Sequence, residues 1–589
     1  MIPENVLYIN LAKKSFEVRK RKELFERYLG GSGVGIKLLE EECPKGAAPL
    51  SPENPIIFTV GPLTCLFPFA SKTVAMFKSP LTGNLGESHA GGRSAVAIRA
   101  AGYGAIVIQG ASESPLYLAI HSNRVYFRDA SALWGVGSSF TVGRILRERE
   151  PNAGLRTIMR IGAGGEKLVR YACVTTETYR HFGRLGLGAV MGAKKLKAIV
   201  ISGNTTVKLQ DGKNYREIYD RIYDLALKSQ LMKKYHDLGT ASNIKHLNFV
   251  GALPTMNLQS GNFENADKIS GENLAENFLG RRVACAHCPT ACIHLASLRE
   301  PYGDEMYFYK TTMVSYDHEL IYSLGSMLGI GEPQGFLKIL EAVEKIGIDA
   351  ISAGVSLAWA TEMLERGMIS EKETLLPLKW GDANGYIKAV NYIVEQPNEF
   401  YRALAEGVEH ASTIYGGREC ALAFGKNEMA GYHTGALFYG TLLTGARHSH
   451  LDSAGYSFDE KQLKGLPTPD NGAELLFGEE EWRNVLTSLV VCLFARGIYD
   501  EKNVCDALGV AGIQKDAKEL HELGREILRL KHGFKAREGF DYTKLRIPER
   551  IIDTPTPSGR IDPQYLKKLV ERYFSLINCF YSPDFTSRA

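Results

Sequence analysis

Short apolar runs punctuated by glycine and proline dominate the first third of the chain: Val6-Leu-Tyr-Ile9, Pro55-Ile-Ile-Phe-Thr-Val60, Gly104-Ala-Ile-Val-Ile-Gln109, Leu116-Tyr-Leu-Ala-Ile120 and Ala198-Ile-Val-Ile-Ser202. Runs this short, bounded by turn formers, predict strands. From about residue 213 the apolar positions recur at three and four, as in Tyr215 to Tyr235 and Phe336-Leu-Lys-Ile-Leu-Glu-Ala-Val343, and that period predicts helices. With joints near 210 and 415, the pattern predicts an α+β protein. A sheet-rich N-terminal base domain spans 1–210 and is followed by two mainly helical domains, 211–415 and 416–589. No repeat of fixed period and no low-complexity linker interrupts it.

Composition narrows the class. At roughly 150 residues per domain, 589 residues make three or four domains, and 44% hydrophobic residues suffice for sizeable cores. Lys and Arg number 70 against 66 Asp and Glu, with no basic tract, so nucleic acid is not an expected partner. The N-terminus Met1-Ile-Pro-Glu-Asn5 lacks a signal pattern, and no apolar run reaches the ~20 residues a membrane span needs. The expected location is the cytoplasm. Cys43, Cys65, Cys173, Cys420, Cys505 and Cys579 are scattered without disulfide-like spacing and are expected to be small core residues of a reduced protein.

The other cysteines carry chemistry. Cys285-Ala-His-Cys288-Pro-Thr-Ala-Cys292 puts three thiols in eight residues. Iron–sulfur clusters take four thiolates, often three clustered and one distant. Cys492, 200 residues beyond Cys292, is a candidate fourth ligand. His287 or His294 could instead complete a Cys3His zinc site, and coincidence is the third reading. The spacing is the reverse of the CxxxCxxC run of radical enzymes that cleave S-adenosylmethionine. Glycine-dense segments are weaker signals. Gly30-Gly-Ser-Gly-Val-Gly35 does not fit GxGxxG. Gly83 to Gly92 and Arg184 to Gly192 lie beside Lys72, Lys78, Arg93, Arg184, Lys194 and Lys195, where backbone N–H groups and cations could meet phosphates, or simply form turns.

Six segments in order, Lys78-Ser-Pro-Leu-Thr-Gly83, Ala101-Gly-Tyr-Gly-Ala-Ile-Val-Ile108, Gly186 to Ala198, Gly251-Ala-Leu-Pro-Thr-Met-Asn257, the Cys285 run and Gly347-Ile-Asp-Ala-Ile-Ser-Ala-Gly354, resemble the tungsten-containing aldehyde:ferredoxin oxidoreductase family, in particular its broad-specificity archaeal members. The resemblance fades after about residue 520. It implies a bis-pterin tungsten cofactor (tungstopterin) on the sheet base, a magnesium ion bridging the pterin phosphates, and one 4Fe-4S cluster on Cys285, Cys288, Cys292 and Cys492. Lys72, where the family commonly has arginine, His89 with Gly91, Gly92 and Arg93, and Arg184 with Leu185 and Gly186 would face the pterins. The family's two DxxGL(C/D) motifs fall at Glu344-Lys-Ile-Gly-Ile-Asp349 and Thr487-Ser-Leu-Val-Val-Cys492, both altered, which makes Asp349 and Thr487 the candidate pterin contacts.

For chemistry, Glu319 in Asp317-His-Glu-Leu-Ile-Tyr-Ser-Leu-Gly325 matches the family's active-site glutamate, a general base for oxidising aldehydes to carboxylic acids. His318 stands where the family usually has tyrosine. His448, in Thr444-Gly-Ala-Arg-His-Ser-His-Leu-Asp452, matches the active-site histidine, with His450 in reserve; Tyr432 would help line the pocket. As an HxH pair the two histidines could also suggest a metal site on a strand, but no third ligand is evident. Electrons would leave through the cluster to a ferredoxin or a small polyferredoxin-like subunit, and a homo- or hetero-oligomer is left open. The alternatives are a tungsten subunit of a low-potential reductase acting on aromatic thioesters, and a zinc-stapled binding protein without enzymatic activity.

Overall fold

The computed structural model describes residues 3–152, 156–207, 209, 211–303, 305–461 and 465–578. All five predicted strands form within two residues of their expected bounds. The first sheet holds β1 (Asn5–Asn10), β2 (Ser15–Lys20), β3 (Ile56–Thr59), β4 (Thr73–Lys78), β5 (Leu85–Ala90) and β6 (Ala105–Gln109) in the order β2-β1-β6-β3-β4-β5. The second holds β7 (Leu116–His121), β8 (Arg124–Asp129), β9 (Arg156–Arg160), β10 (Val174–Thr176), β11 (Arg180–Phe182) and β12 (Leu196–Ser202) in the order β11-β10-β9-β12-β7-β8. Only β1 with β6 and β7 with β12 run parallel.

Side-chain alternation explains why these runs are apolar throughout. Successive strand residues face opposite ways. Leu7, Ile9, Ile56, Phe58, Ile106 and Ile108 enter a core shared with Leu118, Ile120, Ile199 and Ile201 of the second sheet. Their neighbours Val6, Tyr8, Ile57, Ala105 and Val107 belong instead to the large core of the helical body. Strands β1, β3, β4 and β6 are therefore buried on both faces, while the edge strand β2 is exposed, and burying a Phe or Ile side chain contributes roughly 1.5–3 kcal/mol.

The remainder is mainly helical. Helices Ala350–Glu365 and Ala436–Thr444 are apolar nearly all round and lie in the interior. The periodic stretch from Tyr215 to Tyr235 divides into helices Gly212–Lys228 and Gln230–Asp237, because the Ser229 side chain caps the second by accepting from Met232 N–H. Two elements depart from the helical expectation: a two-residue hairpin ladder of Ala423–Phe424 with Asn427–Glu428, and an antiparallel sheet of β13 (Leu279–Val283), β14 (Ile293–Tyr302) and β15 (Glu305–Tyr316). The cysteine loop joins β13 to β14, and β15 runs directly into Asp317-His318-Glu319. No helix among the described residues is long and apolar enough to cross a membrane.

The glycine-rich Gly30–Gly35 segment opens helix Gly31–Glu42 and serves packing. Gly31, at φ +37°, has its α-carbon against the Thr487 carbonyl, where a β-carbon would clash with backbone. That contact seats the end of helix Pro469–Ser488 against the start of helix Gly31–Glu42, and the chain then turns at Val490 (φ +55°) to deliver Cys492.

Candidate active site and thiol cluster

The structure brings Cys492 to the three clustered cysteines. Cys492 N–H donates to Phe69 O at 3.1 Å, while Phe69 N–H donates to His287 O at 3.0 Å and Ala286 N–H to Gly92 O at 2.9 Å. One short loop of the base, residues 69–72, is thus stitched to both cysteine segments, since Lys72 N–H also donates to Val490 O at 3.2 Å. Burial pushes the Cys288 thiol up to about 11 and Cys292 to about 12, so neither is a thiolate at neutral pH unless a cation or metal compensates. Two enclosed cations face the set. Burial alone would lower Lys72 and Arg180, but Cys285, Cys292 and Cys492 outweigh it and hold both above their ordinary values. Gly91 leaves room at the centre: a β-carbon there would stand 2.7 Å from Cys285 Sγ and 3.4 Å from Lys72 Nζ.

His294, one of the two histidines that could have completed a zinc site, is committed elsewhere. Its Nδ1 lies 3.1 Å from Cys292 O and its Nε2 3.1 Å from His236 O. Among the described residues, no three His, Cys, Asp or Glu side chains converge closely enough to ligate a single metal ion. All nine described cysteines, Cys43, Cys65, Cys173, Cys420 and Cys505 included, are free thiols; Cys579 lies outside the described residues.

A second cluster forms where helix His318–Leu324 begins. Asp317 caps that helix by accepting from Leu320 N–H, which fixes Glu319 in its first turn. Glu319 Oε2 accepts from Gly431 N–H at 3.0 Å, and Oε1 lies 3.4 Å from His450 Nε2. The carboxyl side chain is only 16% exposed, and burial, reinforced by Asp317 and Asp349, pushes its pKa up to about 8 against the pull of the Gly431 bond and Arg184. Burial also drops His450 well below the ordinary histidine range, so at neutral pH a protonated Glu319 faces a neutral imidazole. His318 backs them: its Nε2 lies 3.0 Å from Gly431 O, its Nδ1 has no partner, and burial lowers it to about 4. Tyr432 stacks on Tyr456 with centroids 4.1 Å apart and lies 4.7 Å from the His318 ring and 5.6 Å from His450.

Arg184 ties this cluster to the base. Its Nε donates to Asp349 Oδ2 at 3.2 Å and its Nη2 to Glu428 O at 2.7 Å, while Nη1 is buried without a partner. Ser352 Oγ lies 2.6 Å from Asp349 Oδ2 and 2.7 Å from Glu428 Oε2. One hydroxyl proton cannot serve both carboxylates at once, and burial raises Glu428 against the pull of Ser352 and Arg184. Asp349 itself caps helix Ala350–Glu365 through Ile351 and Ser352 N–H groups.

The remaining predicted residues fall in several places. His448, the first choice for the active-site histidine, is turned away. Its Nδ1 bonds Leu442 O at 2.9 Å and its Nε2 accepts from Lys535 Nζ at 2.9 Å, while His450 is the one at Glu319. His448 sits at φ +53° in a tight turn two residues before His450. His89 is tied to Glu87 at 2.8 Å, a carboxylate also held by Ser32 and Lys531. Arg93 lies at the surface 3.6 Å from Glu177, so it borders the thiols from outside instead of reaching into the interior. Gly92 holds the cysteine loop through its carbonyl, and Leu185 O accepts from Ser79 Oγ at 2.8 Å just before Gly186 opens its helix. Thr487 spends its hydroxyl on Asn484 O and lines a small polar void with Arg447, Glu480 and Lys531. Sequence reasoning missed Arg180, Gly431, Tyr456, Ser352 and Glu428, none of which sits in a spacing that announces chemistry.

This geometry is accompanied by clear relationships. The model of the aldehyde ferredoxin oxidoreductase N-terminal domain matches residues 6–203, and that of domains 2 and 3 of the same enzymes matches 217–579. The chain belongs to the aldehyde ferredoxin oxidoreductase family and is an oxidoreductase of that kind. It is 31% identical to a tungsten-containing aldehyde ferredoxin oxidoreductase of Thermococcus kodakarensis, over 97% of this chain and 95% of that protein. The Pyrococcus furiosus enzyme of the same name is 30% identical over 96% and 94%. An aliphatic sulfonate oxidoreductase, WOR-like subunit, of P. furiosus is 30% identical over 68% of this chain and 65% of its own. Among solved structures, the active site complex BamBC of benzoyl coenzyme A reductase superposes with a TM-score of 0.82 at 22% identity, over 98% of this chain and 94% of that one, a likeness of fold. The non-enzymatic zinc-stapled alternative is set aside by this membership.

Proposed function

We propose that this chain oxidises aldehydes to carboxylic acids at a tungsten bis-pterin centre, passing electrons singly through one 4Fe-4S cluster on Cys285, Cys288, Cys292 and Cys492 to a ferredoxin-class acceptor in the cytoplasm. The observation that carries the reading is the buried Glu319–His450 pair, 3.4 Å apart, beside unpartnered Arg184 Nη1 and His450 Nδ1. Buried polar atoms without partners are rare and call for a group to satisfy them. The thiol set fits a cluster on its chemistry: four cysteines face one another beside two enclosed cations, and burial raises Cys288 and Cys292, which a bound metal would offset. When bound, the tungsten centre supplies the two-electron redox step and the cluster a one-electron exit.

The protein's own part is acid–base chemistry and orientation. Glu319, once ionised, takes a proton from water or from the aldehyde hydrate and keeps it, while the neutral His450 faces the carboxyl across 3.4 Å. His318 and Gly431 hold the carboxylate in place, and the stacked Tyr432–Tyr456 pair closes the enclosure against water. Arg184, Asp349 and Gly186 are the pterin contacts best supported; Lys72 and Gly91 adjoin Cys285, while His89, through Glu87, and Thr487 lie toward Lys531. The three-part division at about 210 and 415, and a magnesium ion between pterin phosphates, belong to the same proposal. The thioester-reductase alternative has a likeness of fold behind it and no residue of its own. Metal and pterin analysis of anaerobically purified protein tests the reading: close to one tungsten and four irons with releasable pterin supports it, and zinc alone overturns it.

A further inference from the structure

Resting on that reading, we propose that a cavity adjoining the Tyr432–Tyr456 pair binds a carboxylic acid with an apolar body, the product class of the oxidation, at a site separate from Glu319. The cavity measures about 700 Å³, within the range of small-molecule sites. It lies between helix Asn243–Phe249, helix Gly455–Lys461 and the loop leading into helix Pro563–Asn578. Neither Glu319 nor His450 lines it, yet it shares segments with their enclosure. Thr434 lies two residues beyond Tyr432, and Asp459 and Glu460 lie one turn beyond Tyr456 along the same helix.

The ligand's chemistry follows from which polar groups are left unengaged. Tyr565 is only 8% exposed and its buried hydroxyl has no hydrogen-bond partner. Such a group is rare and marks a place for an acceptor. Arg560 lines the same cavity and has neither an ion pair nor a hydrogen bond among the described residues. The acids there are already engaged. Asp459 accepts from Leu437 N–H at 3.1 Å, Phe438 N–H at 2.9 Å and Thr434 Oγ1 at 3.0 Å. Glu460 lies 3.9 Å from His246, and Asp562 accepts from Gln564 N–H at 2.8 Å. The free capacity is therefore two donors, one of them cationic, which matches the two oxygens of a single carboxylate. Val250, Ala436 and Ile561 supply apolar wall for the rest of the molecule.

The test titrates the metal-loaded protein with hexanoate, and with 1-hexanol as the uncharged analogue, by isothermal calorimetry. The parent is compared with Tyr565→Phe and Arg560→Gln. Because the Tyr565 hydroxyl bonds nothing in the folded chain, the phenylalanine variant should keep the parent's Tm, so a loss of binding cannot be ascribed to misfolding. The expected result is saturable hexanoate binding, at least 10-fold weaker binding of hexanol, and a hexanoate Kd raised about 5-fold or more by each substitution, with the rate of hexanal oxidation undiminished. No hexanoate binding by the parent, or a Kd within two-fold of the parent in both variants, would overturn the site. Hexanoate binding with the expected dependence on Tyr565 and Arg560, in protein that oxidises no aldehyde, would instead overturn the aldehyde reading and leave the carboxylate site standing.

Discussion

Replacing Glu319 with glutamine separates catalysis from folding, because the same burial that makes the carboxyl useful also makes its charge costly. With a pKa of about 8, roughly one tenth of Glu319 is ionised at pH 7 and roughly nine tenths at pH 9. A general base must be ionised, so kcat/KM of the parent enzyme should climb about ten-fold over that interval. Stability runs the other way. The folded protein holds this proton more tightly than the unfolded chain, whose carboxyl has the ordinary value of 4.5, so the contribution is complete below pH 4.5 and is lost between there and about 8. At about 1.4 kcal/mol for each pH unit between the two values, the loss approaches roughly 5 kcal/mol at pH 9. Glu319→Gln keeps the Gly431 hydrogen bond and the volume but has no proton to lose. Its kcat/KM should fall by about two to four orders of magnitude with metal content intact, and the remainder should be flat with pH. Its Tm relative to the parent should rise from pH 5 to pH 9. A parent rate that is flat or falls between pH 7 and 9, activity of the variant within ten-fold of the parent, or a variant less stable than the parent at pH 9 would each refute the reasoning.

Gly91→Ala should strip iron from the purified protein while leaving the far-ultraviolet dichroism unchanged, because the added β-carbon would lie 2.7 Å from Cys285 Sγ; iron assay reads it directly. His450→Asn should cost about 10² in kcat, whereas His448→Gln should leave turnover per tungsten within a few-fold and lower stability by about 1–3 kcal/mol, since it disturbs the buried acceptor of Lys535. Arg184→Lys keeps the charge but cannot span Asp349, Glu428 and a third group at once, so pterin content after gel filtration should drop.

Much of the base was legible because its interior strands, such as β1, β3, β6, β7 and β12, are buried on both faces, which writes a continuous apolar run into the sequence. The cysteine run announced itself by density, and Cys492 followed from the need for a fourth thiol. The β13–β15 sheet was less visible: Tyr307, at 84% exposure, Phe308 and Tyr309 put aromatics on both faces of a projecting hairpin, so the chain there lacks clean alternation. His448 and His450 could not be ranked from sequence, since a two-residue offset says nothing about a turn with positive φ between them and the rest of the fold. Arg180 and Ser352 are invisible for a different reason. Their significance lies in what a distant segment brings to them, thiols 105 residues on for Arg180 and Glu428, 76 residues on, for Ser352.

The most direct measurement is the electron balance of the anaerobically purified, metal-loaded protein given an aldehyde and a one-electron viologen. Two viologens reduced for each carboxylate formed, abolished in Glu319→Gln, is the predicted result. Protein carrying tungsten and iron that forms no carboxylate from aliphatic or aromatic aldehydes would contradict it.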